Sequence, residues 1–124
     1  MKDILVIGAG KIGSVVAELL VDTPQAGGYR VTVADRSAAL LAGIERAARQ
    51  ASHHPPRLST LLLDVADPAQ LADALRGRFA VLSAAPYHLT LRVAQAAREA
   101  GVHYLDLTDV RWPSARSTCI CLAD

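Results

Sequence analysis

The fold of this chain is decided by the stretch Asp3-Ile4-Leu5-Val6-Ile7-Gly8-Ala9-Gly10-Lys11-Ile12-Gly13. Its first part, Ile4 to Ile7, is an unbroken run of branched aliphatic residues, which predicts a parallel strand buried on both faces. The three glycines that follow fit the pattern G-x-G-x-x-G. Apolar residues then recur at helical spacing, at Ile12, Val15, Val16, Leu19 and Leu20. The stretch therefore predicts a strand, a tight glycine turn and a helix.

Glycine is expected at each of the three positions for a different physical reason. Gly8 allows the turn out of the strand, Gly10 lets a pyrophosphate approach the backbone, and Gly13 lets the helix pack close to the sheet. The free N–H groups at the helix start, together with the positive end of its dipole, then hold the phosphates. Lys11 either reaches a phosphate oxygen or is a solvated surface lysine. The predicted dinucleotide site comprises Gly8, Ala9, Gly10, Lys11, Ile12 and Gly13.

Asp35 ends the next apolar strand, Tyr29 to Ala34, and lies about twenty residues after Gly13, the usual separation for a carboxylate that binds the adenosine ribose. Such a carboxylate accepts hydrogen bonds from a free 2′-hydroxyl and repels a 2′-phosphate, which favours NAD over NADP. Arg36 could instead stack on adenine or pair with a phosphate, so NADP stays open. The alternative role for Asp35 is that of an ordinary aspartate capping a turn.

The composition restricts the class of protein. A chain of 124 residues is long enough for one domain with a core. With 13 basic and 12 acidic residues and a net charge of +1, it has no electrostatic footprint for nucleic acid. No apolar run approaches the roughly 20 residues that span a bilayer. The sequence opens on the first strand without a signal-like segment, so we expect a cytoplasmic protein.

No metal site is predicted. Cys119 and Cys121 are two residues apart, with no second pair to complete a zinc site or a disulfide framework, and we interpret them as free thiols. The neighbouring His53 and His54 lie in a proline-rich loop with no carboxylate or thiol spaced to join them, so we interpret them as solvated side chains.

Strands and helices alternate along the rest of the chain. Ser37 is expected to cap a helix with Leu40, Leu41, Ile44, Ala47 and Ala48 on its apolar side. Asp67, Pro68 and Gln70 form a capping box for a helix that Gly77 ends, and Gly101 ends the last helix. The further strands are predicted at Leu58 to Leu63, Phe79 to Ser83 and Val102 to Leu107.

This alternation predicts an α/β fold, a doubly wound parallel sheet of five strands with helices on both faces. The expected strand order is 3-2-1-4-5, with the cofactor crevice between strands 1 and 4, where the order reverses. The nucleotide-binding domain is placed at residues 1–110. Residues 111–124 form an atypical tail.

Ligands in such sheets bind at the carboxyl ends of the strands. Asp64 and Val65, after strand 3, either flank the adenine or belong to a plain turn. The small residues after strand 4, which let the chain pass close to a ribose or a nicotinamide, are Ser83, Ala84, Ala85 and Pro86. The candidates for proton transfer are Tyr87, His88, Tyr104, Asp106 and Asp109. None of these has a partner at a spacing that identifies a catalytic pair, so no catalytic residue is assigned.

Several of these segments together resemble the nucleotide-binding domain of the saccharopine dehydrogenase family. The resemblance covers about Met1 to Val110 and is carried by the glycine stretch, Asp64-Val65, Ser83-Ala84-Ala85-Pro86-Tyr87 and Ala100-Gly101-Val102-His103-Tyr104-Leu105-Asp106-Leu107-Thr108-Asp109. It implies a reductase that uses NAD or NADP and acts on an imine or secondary amine. It also implies a separate, C-terminal substrate domain.

The tail does not resemble the continuation of that family, which truncation or a changed reading frame would explain. The chain is expected to bind the cofactor without turnover. Apolar surface left uncovered near strand 5 and the last helix is expected to cause self-association into a homo-oligomer. Two other functions stay open: a nucleotide-sensing regulatory domain like those that control potassium transport, and a degenerate fold kept for assembly. The segments Ala84 to Tyr87 and Tyr104 to Thr108 favour the oxidoreductase.

Overall fold

The computed structural model describes residues 2–10, 13, 15–16, 29–51, 58–84, 87–106 and 120–121. Helical backbone is found at Gly13, Val15 and Val16, and a short 3₁₀ turn at Tyr87–Leu89. The strands and the α-helices of known extent are β1 (Lys2–Ile7), β2 (Tyr29–Asp35), α1 (Ala38–Ala51), β3 (Leu58–Leu62), α2 (Pro68–Leu75), β4 (Ala80–Ser83), α3 (Thr90–Ala100), β5 (His103–Asp106) and β6 (Ile120–Cys121).

These strands form one sheet in the order β3-β2-β1-β4-β5-β6. The first five run parallel, with Ile7 of β1 level with Ala34 of β2 on one side and with Ser83 of β4 on the other. The predicted fold class and strand order are therefore confirmed. A sixth strand was not predicted: β6 lies in the tail and pairs antiparallel with β5, where Cys121 is opposite Tyr104.

Strand β1 is at the centre of the sheet because both of its faces are apolar. Ile4, Leu5, Val6 and Ile7 are all buried, and Leu5 and Val6 are completely inaccessible. Since side chains alternate along a strand, the four residues supply two to each face. A run of this kind suits only a strand that is covered on both sides.

Two cores cover the two faces of the sheet. In what we call the α1-side core, Ile4 and Val6 pack with Val33 of β2 and Leu41 of α1. In the α3-side core, residues of the central strands pack with residues of α2 and α3, among them Leu5, Ile7, Val81, Leu75, Val93 and Tyr104. Helices therefore lie on both faces, as the sequence predicts.

The start of α2 is fixed by its capping residues. Asp67 Oδ1 accepts hydrogen bonds from the backbone N–H groups of Ala69 (3.0 Å) and Gln70 (3.4 Å), and Pro68 opens the helix, as predicted. The Gln70 side chain differs from a capping box. Its Oε1 accepts from the Asp64 backbone N–H (3.2 Å), while the Asp67 N–H donates to the Asp64 carbonyl oxygen. The side chain of Gln70 therefore ties the helix to the end of β3.

Two predicted apolar positions are exposed. Ser37 caps α1 through its Oγ, which accepts from the Leu40 N–H at 3.3 Å, but the Leu40 side chain is 47% exposed. In α1 the buried position is Leu41, 5% exposed, and Leu40 lies about 100° away around the helix. Val15 is likewise 54% exposed, whereas Val16 is half-buried. Gly101 ends α3 in the left-handed conformation, at φ 72°, as predicted.

Candidate functional site

In the turn after β1, close contacts inside the protein require glycine at two of the three glycine positions. Gly8 has a φ of +110°, and a Cβ there would lie 2.9 Å from the carbonyl oxygen of Ala84. A Cβ on Gly13 would overlap the carbonyl oxygen of Gly8. Both positions therefore exclude a side chain, because the helix and the end of β4 approach the turn so closely.

Gly10 is different, because a Cβ there would meet no atom of the described residues within 4 Å. Its backbone is exposed at the carboxyl end of the sheet, and its φ is not in the left-handed range. Among the residues that the structure describes, neither a steric contact nor the backbone conformation requires glycine at this position. Space for close approach at the second glycine is what a diphosphate needs.

Asp35 faces this turn. Its Oδ2 accepts a hydrogen bond from the backbone N–H of Ala9 at 2.8 Å, and its Oδ1 accepts from the N–H of Ser37 at the same distance. The carboxylate is half-buried and thus fixed between the glycine turn and the start of α1. The bond to Ser37 is that of a turn-capping aspartate, and the bond to Ala9 is one that a cap alone does not need. Arg36, the next residue, is exposed.

The end of β4 forms the other wall of the crevice. The Ala84 N–H donates to the carbonyl oxygen of Ile7 at 2.7 Å, so the chain leaves β4 directly beside the glycine turn. Ser83 is 1% exposed, and its Oγ has no hydrogen-bond partner among the residues that the structure describes. Lys11, Ile12, Ala85 and Pro86, which belong to the predicted site, lie outside the described residues.

The end of β3 has the structure of a turn. Asp64 is exposed, and its Oδ1 accepts from the N–H of Ala66 at 3.0 Å, the pattern of an aspartate that stabilises its own turn. Val65 packs into the α3-side core. The turn interpretation of Asp64 is thus observed, and contact with adenine stays a prediction.

Sequence reasoning missed a pair of side chains at the end of β5. The Tyr104 hydroxyl donates to Asp106 Oδ2 at 2.7 Å and lies 3.5 Å from the Thr90 carbonyl oxygen. Tyr104 is 2% exposed, whereas Asp106 is half-buried. The signal was available, since residues two apart on a strand share a face. Of the other candidates, His88 is exposed and Asp109 lies outside the described residues.

The structure contains no group of three or more His, Cys, Asp and Glu side chains that could hold a metal ion, within the residues it describes. Cys121 lies in β6, while His53, His54 and Cys119 fall outside those residues. Nor does any helix in the described ranges have the length and apolar character needed to cross a membrane.

Comparison with solved structures shows the same fold in several proteins. The chain superposes on apo saccharopine dehydrogenase (L-Glu forming) from Saccharomyces cerevisiae with a TM-score of 0.71 and 22% identity, covering 90% of this chain and 22% of that one. A Rossmann-fold NAD(P)-binding family protein from Shigella flexneri matches with a TM-score of 0.62 and 22% identity, over 82% and 48% of the two chains. Uronate dehydrogenase from Agrobacterium tumefaciens, in a complex with NAD, matches at 0.55 and 21%, over 82% and 38%.

A family comparison is more specific than these structural likenesses. Residues 4–121 match the model of the saccharopine dehydrogenase NADP binding domain. The match includes β6 and so extends past Val110, where the resemblance seen in the sequence ends. The chain spans 22% of the yeast enzyme and is similar to its fold. With nearly all of its length matched, this chain belongs to the saccharopine dehydrogenase NADP-binding domain family.

Proposed function

We propose that this chain is the cofactor-binding part of an NAD(P)-dependent oxidoreductase that acts on a C–N bond, in an imine or a secondary amine. The observation that carries the proposal is the glycine turn. Gly8 and Gly13 are required by contacts inside the protein, whereas no described residue gives a steric reason for glycine at position 10. A ligand that must come close to the backbone there would explain the missing side chain.

The dinucleotide would lie across the carboxyl ends of β1, β2 and β4. Backbone N–H groups at the start of the helix that follows the glycine turn would hold the diphosphate, and Asp35 would bind the adenosine ribose. Ser83 to Pro86 would border the second half of the molecule. When bound, the nicotinamide supplies the hydride transfer, and the residues of this chain bind and orient it.

For the cofactor we propose NAD rather than NADP. The Asp35 carboxylate is 2.8 Å from the Ala9 nitrogen, so its negative charge lies against the turn that would hold the diphosphate. A 2′-phosphate on the adjacent ribose would meet that charge, whereas a 2′-hydroxyl would donate to it. The family is described by NADP binding, so this preference is a proposal about the present chain.

We further propose that the chain binds the cofactor without turnover by itself, because the family resemblance assigns the substrate site to another domain. The division into a domain at residues 1–110 and a tail at 111–124 stays a prediction.

The test compares two glycines that both have open space around them. Gly10 and Gly43 would each accept a Cβ without meeting an atom of the described part of the chain within 4 Å, and Gly43 lies in the middle of α1. We expect Gly10→Ala to weaken NADH binding about tenfold, because a methyl group that displaces the diphosphate costs on the order of 1–3 kcal/mol. Gly43→Ala is expected to leave binding unchanged. Both are measured by NADH fluorescence titration, with thermal unfolding as a check of the fold.

The proposal fails if the wild-type chain binds neither NADH nor NADPH. It also fails if the two substitutions have equal effects on binding. A purified chain that oxidises saccharopine at a measurable rate would contradict the expected lack of turnover while leaving cofactor binding intact.

A further inference from the structure

The two halves of the sheet are related by an approximate twofold axis between β1 and β4. The β1–β2 pair carries α1 on one face, and the β4–β5 pair carries α3 on the other. A twofold axis along the strands exchanges the two faces in this way. In the ladders, Asp106 is level with Ser83, Ser83 with Ile7, and Ile7 with Ala34, so Asp106 lies one residue step before Asp35 along the strand direction. The axis therefore relates the ends of β2 and β5 to within one residue.

This relation makes Asp106 the counterpart of Asp35. Asp35 follows Ala34 as the last residue of β2, and Asp106 follows Leu105 as the last described residue of β5. The residue two positions before each aspartate is buried and packs in the same core as the helix of its own half. In the first half this residue is Val33, which shares a core with Leu41 of α1. In the second half it is Tyr104, which shares a core with Val93 of α3.

The two carboxylates are also held alike. Each is half-buried at the carboxyl edge of the sheet, and each has an Oδ2 that accepts a short hydrogen bond from a fixed donor. The donor is the backbone N–H of Ala9 at 2.8 Å for Asp35 and the buried hydroxyl of Tyr104 at 2.7 Å for Asp106. A donor that cannot move fixes the direction of the carboxylate.

Buried hydroxyls around Asp106 provide a second, independent observation. Ser83, its neighbour in the β4–β5 ladder, and Thr90 at the start of α3 are each 1% exposed. Ser83 Oγ and Thr90 Oγ1 have no hydrogen-bond partner among the described residues. Buried polar groups are nearly always paired in folded proteins, so these two hydroxyls are available to hydrogen-bond a polar group of a bound ligand.

We propose that Asp106 accepts hydrogen bonds from the vicinal hydroxyls of the second ribose, the one that carries the nicotinamide, as Asp35 does for the first. This inference rests on the proposed dinucleotide function. β2 and β5 are three interstrand spacings apart, about 14 Å, and two riboses joined by a diphosphate can lie between carboxylates at that separation. Tyr104 acts through Asp106 and is a positioning residue.

The test uses ADP, which has the first ribose only, and NAD, which has both. The variant Asp106→Asn keeps an oxygen that can accept from the Tyr104 hydroxyl. We expect it to weaken NAD binding about tenfold, through the loss of hydrogen bonds to a charged acceptor, and to leave ADP binding unchanged, as measured by calorimetry. NADP is expected to weaken by the same factor as NAD, since the second ribose is identical in both. Asp35→Asn is expected to weaken both NAD and ADP.

Unchanged ADP affinity also reports that the variant is folded. If Asp106→Asn does not fold, Asp106→Ser carries the same test, because it keeps a smaller oxygen-bearing side chain. An Asp106 variant that binds NAD like the wild type, or that loses ADP and NAD equally, overturns the role of Asp106 and leaves the proposed function standing. A wild-type chain that binds neither nucleotide overturns both.

Discussion

The β1–β2 half and the β4–β5 half of the sheet end in the same way but are covered differently. Each half ends in a half-buried aspartate, Asp35 and Asp106. In the first half Ile7 is 2% exposed and Ala34 is fully buried, whereas Leu82 of β4 and Leu105 of β5, which face the α1-side core, are only partly buried. Both halves thus end in a carboxylate, but the α1 face of the second half is covered less completely.

The difference follows from the chain path. The crossover from β3 to β4 contains α2, which lies on the face of the sheet opposite α1, and its residues Leu71 and Leu75 pack in the same core as Ala34. In the described part of the chain, no helix plays this role for Leu82 and Leu105. The second half is fully buried on its other face, where Val81 and Tyr104 pack in the α3-side core, so the two halves differ in the cover of one face.

The largest effect expected from this comparison is on stability. Leu5 is completely buried, whereas Leu105 is partly exposed and packs at the margin of the α1-side core. We expect Leu5→Ala to lower the free energy of unfolding by about 3 kcal/mol and Leu105→Ala by about 1 kcal/mol, because a cavity costs less where the site is already open. Urea denaturation measures both. Equal losses would mean that β5 is covered as completely as β1.

A smaller effect is expected on the preference between NADH and NADPH. This measurement tests the β1–β2 half of the sheet by itself. Asp35→Asn keeps one acceptor oxygen but removes the charge. We expect the ratio of NADPH to NADH dissociation constants to fall about tenfold, since repulsion of the 2′-phosphate is lost while the bond to the 2′-hydroxyl weakens. Fluorescence titration with both nucleotides measures the ratio.

Asp64→Asn is the matched control for that change. Asp64 also follows a strand and also accepts a hydrogen bond from a backbone N–H group, that of Ala66. Its substitution is expected to leave the ratio unchanged. A shift of similar size in both variants would show that overall charge, rather than contact with the ribose, sets the preference.

The sequence predicted the first half better than the second. Ile4 to Gly13 carries its own strand and turn chemistry, and Asp35 follows at a known separation, so strand order and crevice could be placed from local pattern. Strand β6 could not, because two residues, Ile120 and Cys121, have no periodicity to detect. It exists through pairing with β5, which is a tertiary contact.

The side-chain contacts in the site were predicted less well than the backbone. The contact between Asp35 and Ala9 depends on how the glycine turn and the end of β2 meet in the folded chain. The hydrogen bond from Tyr104 to Asp106 depends on the face of β5 that these two side chains share and on what packs against that face. Leu40 shows the limit of periodicity, since an apolar residue at helical spacing can lie just outside the buried stripe.

The weakest effect expected is self-association through the partly open second half. On this side of the sheet Phe79 is 41% exposed, and its ring packs edge-to-face against His103, which shares a strand face with Leu105. We expect a second copy of the chain to cover this face at high protein concentration. Leu105→Lys should shift sedimentation toward the monomer, and Leu62→Lys, at an exposed leucine on the opposite edge of the sheet, should not. A wild-type chain that stays monomeric at all concentrations would show that this face does not bind a second copy of the chain.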